Sequence, residues 1–283
     1  MRKKIVLPTD FSKNAWNAIQ YATALYKDQK CDFYILNAFN ATGYALESMM
    51  VPEPGERLYE EAKARSEQGL SKILERLTFK DEHNNHEFYM VSQFNSLLEA
   101  IKDIVDKEDI QMIMMGTKGI TDALDVVFGS NTVTIMEKSR NCPVMAIPED
   151  AVYEGLEEIV FPTNFRMSFK KRELLDIIEI TKISNAAIRI LYASNGEALN
   201  ELQENNKKRL QEYFDGLTHS IHTLYSLDAS SAVRCFVESR DSDLIAFFNR
   251  KHSFFGSIFS RPMVKNLGRY AKVPVLALHN IRN

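Results

Sequence analysis

The sequence predicts an α/β protein built as two tandem open five-stranded parallel sheets, each with helices on both faces. Three observations carry this. Short apolar runs alternate with segments of helical spacing through the first half of the chain, an order that gives a parallel sheet covered on both sides. The second half echoes the first: Glu158-Ile-Val-Phe-Pro-Thr-Asn164 matches Lys4-Ile-Val-Leu-Pro-Thr-Asp10, and Val273-Pro-Val-Leu-Ala-Leu278 matches Cys142-Pro-Val-Met-Ala-Ile147, as an internal duplication would leave it. The length, 283 residues, suits two domains of ordinary size. The polar stretch 149–155, EDAVYEG, marks the join, giving domains over residues 1–149 and 156–283.

In the first half, Lys3–Leu7 reads as a strand ending at Pro8-Thr9-Asp10, after which Ser12 caps a helix carrying Ala15, Trp16, Ile19, Ala22 and Leu25. Phe33–Ala38 is the second strand. Residues 39–55 form an irregular connection whose Tyr44, Met49, Met50 and Val51 read as packing residues, with a lid over a ligand as the lesser reading. Arg57–Leu77 then has an apolar helical stripe and a charged, solvated face. Glu87–Val91 and Ser96–Val105 supply the third strand and helix. In the second half, Ala187–Tyr192 and Ile221–Tyr225 read as strands, and Leu174–Ile183, Leu199–Phe214 and Ala232–Val237 as helical.

The stretch that points to chemistry is 110–148, read as strand, glycine-bounded loop, helix and strand. The run Ile110–Met115 stops at Gly116; Gly119 follows, and Gly129-Ser130 stands directly before a helical segment with Val133, Ile135 and Met136. Glycine permits positive φ and close approach of a ligand to the backbone. Open amides at a helix N-terminus attract phosphate oxygens, and the Ser130 and Thr132 hydroxyls and the Lys118 ammonium can add to that attraction. Ser130 is also the expected helix cap. Taken singly, each glycine is better explained as shaping a loop; the combined spacing at a strand end reverses that and favours phosphate. Asp10, at the end of the first strand, is open to two readings: a carboxylate for a ribose hydroxyl or adenine amine, or a loop Asp serving the backbone.

The pattern Gly116-x2-Gly119-x9-Gly129-Ser130, flanked by IQMIMMG and CPVMAIP, resembles the nucleotide-binding signature of the ATP-binding universal stress proteins. The resemblance implies an adenine nucleotide alpha hydrolase-like fold, with the nucleotide over the carboxyl ends of the strands. It implies ATP, accompanied by Mg2+, held by Pro8, Thr9, Asp10, the main chain of Ala38, Gly116, Lys118, Gly119, Gly129, Ser130, Asn131 and Thr132. It also implies an intramolecular pseudo-dimer of the two domains through their fifth strands, Val144–Ile147 and Val275–Leu278, with further association into a homodimer as the alternative. The expected role is a nucleotide-dependent stress-response regulator. The rival is an interaction protein whose clefts are vestigial in both copies.

The second copy departs where chemistry would occur. Asn249 and His252 align with Gly116 and Gly119, Ser260-Arg261 with Gly129-Ser130, and Asn164 with Asp10. Side chains at glycine positions crowd a phosphate, so this copy is expected not to bind nucleotide in the same way. Phe254, Phe255, Ile258 and Phe259 are read as filling the vacant cleft rather than forming a partner patch.

Other classes find little support. A formal net charge of −3 gives no support to a nucleic-acid partner, which would want a clearly basic face, and leaves local patches open. No apolar run approaches a membrane span or a secretory signal, so a cytoplasmic location is expected. Cys31, Cys142 and Cys235 are widely spaced in apolar surroundings and read as buried free thiols. His83-x2-His86 and His219-x2-His222 lack companion ligands, and at strand spacing each pair points to opposite faces, so no metal site is expected. No catalytic residue is nominated: G-x-S-x-G and the Walker P-loop are both missing, leaving at most slow ATP hydrolysis.

Overall fold

The computed structural model describes residues 2–40, 54–79, 85–117, 128–139, 141–194, 196–225, 228–249 and 273–279. Strands β1 (Lys3–Pro8), β2 (Cys31–Phe39), β3 (His86–Phe94), β4 (Met112–Gly116) and β5 (Val144–Ile147) alternate with helices α1 (Lys13–Leu25), α2 (Arg57–Thr78), α3 (Leu97–Glu108) and α4 (Ser130–Lys138). The second repeat has β6 (Glu158–Pro162), a 3-10 turn at Lys171–Leu174, α5 (Leu175–Ser184), β7 (Ala187–Ser194), α6 (Glu201–Tyr213), β8 (His219–Tyr225), α7 (Ala229–Arg240), β9 (Leu244–Phe248) and β10 (Val275–Leu278). Ser12 caps α1 as its sequence position predicts, accepting from the Ala15 amide. The sequence reading assigns no element to Leu244–Phe248, because a five-residue apolar run is ambiguous between strand and helix until its partners are known.

The two sets of strands form one ten-stranded sheet, in the order β3-β2-β1-β4-β5-β10-β9-β6-β7-β8. Every adjacent pair is parallel except β5 with β10. In that antiparallel pair Leu276 faces Met145, with Val275 opposite Ala146 and Ala277 opposite Val144. Since Val144–Ile147 and Val275–Leu278 are the repeated segments, this register is symmetric about the Met145/Leu276 pair, as a local twofold requires.

Side chains alternate across the sheet. Ile5, Leu7, Met145 and Leu276 join the core beneath α1, α2, α5 and α6, whereas Val6, Val144, Ala146 and Ala277 join the one beneath α3, α4 and α7. Each core runs through both repeats. Polar contacts across the junction add to it. The Lys3 ammonium bridges Asp176 and Glu179 of α5, and Asn249 donates to the Met136 carbonyl near the end of α4. The 149–155 connection is tied down, with Asn17 donating to the Pro148 and Ala151 carbonyls and Tyr153 edge-on to Tyr21.

The expectation of three buried thiols fails at one position. Cys31 and Cys142 are buried, and burial pushes the Cys31 thiol up to about 12, whereas Cys235 is exposed. Ala232, Val233, Phe236 and Val237 bury the other face of α7, which turns position 235 to solvent. Native protein is therefore expected to present one fast-reacting thiol to a thiol-specific chromogenic reagent and three after denaturation; more than one fast thiol would contradict this packing.

Glu158 is the buried charge that the second repeat is built around. Its carboxylate accepts from Arg240, Arg189 and the Ser242 hydroxyl, linking β6 to β7 and α7, and the Arg240 hydrogen bonds hold its pKa down, from 4.5 to about 2. A carboxyl depressed in the folded state contributes stability that is complete above its unfolded pKa and lost as pH falls through the folded value. Urea melts of the native chain should lose midpoint between pH 4.5 and about 2, and Glu158→Gln should flatten that dependence while lowering stability at neutral pH.

Candidate functional site

The carboxyl ends of β1, β2 and β4 lie side by side at one edge of the first repeat, the position at which open α/β sheets hold ligands. Pro8 and Thr9 are buried there. The Thr9 amide donates to the Leu36 carbonyl at 2.8 Å, and its own carbonyl accepts from the Asn37 side chain at 2.6 Å. A tight turn follows. The Thr9 hydroxyl oxygen accepts from the Phe11 amide at 3.0 Å, an Asp10 carboxylate oxygen accepts from the Ser12 amide at 3.0 Å, and Phe11 takes φ of 65°. One Asp10 oxygen thus serves the backbone.

The second repeat builds the same turn. Thr163 and Asn164 accept from the Phe165 and Arg166 amides at 3.1 and 2.9 Å, and Phe165 has φ of 56°. Asn164 therefore keeps the turn and removes the charge. Ala38 lies near the end of β2, paired with Gln93 of β3.

Gly116 ends β4 opposite Ile147, and the Thr117 amide donates to the Ile147 carbonyl at 3.0 Å. The chain re-enters at Phe128, and the Gly129 amide donates back to the Thr117 carbonyl at 2.6 Å. Gly129, with φ of −62° and ψ of 158°, is the N-cap of α4, and Ser130 is its first residue, not its cap. Because Gly129 has no side chain, no side-chain hydrogen bond caps this end. The amides of Ser130, Asn131 and Thr132 have no acceptor within the helix and stand at the positive end of its dipole. Ser130 and Asn131 are exposed; Thr132 is buried, its hydroxyl donating to the Gly116 and Thr117 carbonyls at 2.9 and 3.2 Å. That hydroxyl binds α4 to β4, so its hydrogen is not directed at a ligand as the sequence suggested. Lys118 and Gly119 lie outside the described residues, as do Tyr44, Met49, Met50 and Val51.

Gly116 is a glycine for a reason the sequence did not show. Its backbone needs no positive φ; a Cβ there would strike the buried side chain of Asn14, whose Cγ would be 2.7 Å away. Asn14 sits in the first turn of α1 and donates to the Ile147 carbonyl at 3.3 Å. The glycine lets α1 close onto β4. Asn14 and Asn37 are the site-shaping residues that spacing alone did not single out.

The strand register corrects the alignment of the repeats. Gly116 pairs with Ile147 and Phe248 with Leu278, and the Thr117 and Asn249 amides donate to those same two carbonyls. Phe248, not Asn249, stands where Gly116 stands. Its ring is buried 5.5 Å from that of Phe169, which lies 5.5 Å from Phe161. The first helical turn of this repeat begins only at Lys171, so the longer connection after β6 brings Phe169 over Phe248. These rings pack on the face where, in the first repeat, Gly116 admits Asn14; Phe254, Phe255, Ile258 and Phe259, like His252, Ser260 and Arg261, lie outside the described residues.

Residues 1–148 match the model of the universal stress protein family. The chain belongs to that family. A universal stress protein from Archaeoglobus fulgidus DSM 4304 is 17% identical, with 98% of this chain and 96% of that chain covered and a TM-score of 0.70. A universal stress protein from Pseudomonas aeruginosa UCBPP-PA14 is 11% identical over 99% of this chain and 94% of that one, at 0.60. Both likenesses show the fold. A universal stress protein solved in complex with cAMP is 18% identical and covers 44% of this chain and 98% of its own, at 0.35, too partial a likeness to carry an argument. No curated protein matches the chain.

Among the described residues no helix is long and apolar enough to cross a membrane, and no group of three or more His, Cys, Asp or Glu side chains is placed to hold a metal. Gly116→Ala should lower stability by about 1–3 kcal/mol through the Asn14 contact. In a thermal double-mutant cycle, Asn14→Ala in the same chain should recover part of that loss; strict additivity would show that the two positions are uncoupled.

Proposed function

We propose that the first repeat binds an adenine nucleotide, and that the protein is a nucleotide-dependent regulator of the stress response. The observation that carries this reading is the uncapped N-terminus of α4, Ser130–Thr132, beside the end of β4 in the repeat whose matching strand position is glycine rather than phenylalanine. Phosphate oxygens would take the amides of Ser130, Asn131 and Thr132 and the Ser130 hydroxyl, close to the side-chain-free Gly116 and Gly129. Asp10 would meet the ribose or the adenine amine, and the main chain of Ala38 the adenine edge. Lys118 and Gly119 complete the proposed loop on sequence grounds. ATP is the proposed ligand, and any Mg2+ would arrive on its phosphates. No residue is assigned to hydrolysis.

The pairing of β5 with β10 supports reading the chain as an internal pseudo-dimer. A cytoplasmic location accompanies this proposal.

Equilibrium dialysis with ATP tests it. The native chain should bind about one ATP, and Gly129→Val should weaken binding by an order of magnitude or more, about 1.4 kcal/mol per tenfold, while the chain stays folded by far-UV circular dichroism. If the native chain retains no adenine nucleotide at physiological concentration, the interaction-protein reading replaces this one.

A further inference from the structure

On the other side of the β1 turn, α1 and α2 part around a cavity of about 320 Å³. Arg65, Gly69, Lys72 and Arg76 form one stripe of α2 along it, at i, i+4, i+7 and i+11. Elsewhere on this helix Arg57 and Lys63 are paired with Glu61 and Glu67 at i+4, whereas among the described residues Arg65, Lys72 and Arg76 have no acidic partner. The Arg76 guanidinium lies over the Trp16 ring, 3.7 Å from its centroid, a stack that leaves its in-plane N–H groups available.

The floor is Phe11. Its left-handed backbone directs the ring onto α2 at Gly69, where an added Cβ would lie within 2.7 Å of several ring carbons, and 41% of the residue remains exposed. The matching Phe165 is 1% exposed. There α6 closes the space, with the buried Gln203 and Asn206 side chains donating to the Asn164 and Phe165 carbonyls, each at 2.8 Å. The same turn thus supports an open cavity in one repeat and a sealed one in the other.

We infer that this groove binds a small phosphorylated molecule with a flat ring, the ring on Phe11 and the phosphate among Arg65, Lys72 and Arg76. An aromatic floor suits a planar apolar body, and guanidinium forks suit a phosphate dianion. The groove lies between α1 and α2 and shares Thr9 with the proposed nucleotide site, whereas the nucleotide phosphates are placed at α4 on the opposite face of the sheet, so the inference rests on Phe11 and the α2 cations and not on nucleotide binding.

Trp16 is the only tryptophan in the chain, so intrinsic fluorescence reads this groove. Phenyl phosphate titrated into the full chain should change Trp16 emission saturably, more weakly as salt rises, with inorganic phosphate competing. The Arg65→Gln/Lys72→Gln double variant, both sites being exposed, should bind at least about tenfold more weakly at an unchanged melting temperature. Gly129→Val should leave the response intact. No saturable response at millimolar probe, an equal response to phenol, an undiminished response in the double variant, or loss of the response in Gly129→Val would each overturn the inference.

Discussion

Strands β5 and β10 are each bonded on one side to a parallel neighbour of their own repeat, which leaves a second row of backbone N–H and C=O groups to be satisfied. Their antiparallel pairing satisfies both rows at once, and the continuity of the molecule follows from it. It removes the two most apolar edges from solvent, makes one sheet of two, and lets the cores on each face continue from one repeat into the next. The outer strands that remain, β3 and β8, are the less buried ones, as edge strands in contact with water must be.

Within this symmetric frame the two halves differ at corresponding places around a shared turn. The turn after the first strand is retained in both, down to its left-handed phenylalanine and paired side-chain acceptors. What differs is the space around it. Glycine at the end of β4 admits α1, whereas phenylalanine at the end of β9 requires a later helix start and a second ring packed over it. Asn249, once this register is applied, belongs to the junction and not to a ligand site, since its amide side chain reaches the end of α4.

Most of the fold was legible because it is written in local patterns. The duplicated strand-Pro-Thr segments, the Ser12 cap and the apolar stripe of α2 each depend on neighbours in sequence. The phosphate-loop candidate was legible by its glycine spacing. The rest depends on which residues meet in space. That Gly116 accommodates Asn14, that Thr132 is turned inward to the β4 carbonyls, and that Phe248 rather than Asn249 matches Gly116 are tertiary facts, fixed by helix approach and strand register. Cys235 was misread for a related reason: apolar neighbours in sequence lie around a helix, so they do not all share its buried side.

The register about Met145 and Leu276 is symmetric, each strand offering the other the same set of partners. Because both strands belong to one polypeptide, their pairing is a ring closure across a short tether and holds at any dilution, with the two halves always made in equal number. Under that guarantee a mutation in one half is never averaged over a mixed population. One half can give up its cavity for packing without depriving any assembled molecule of the other.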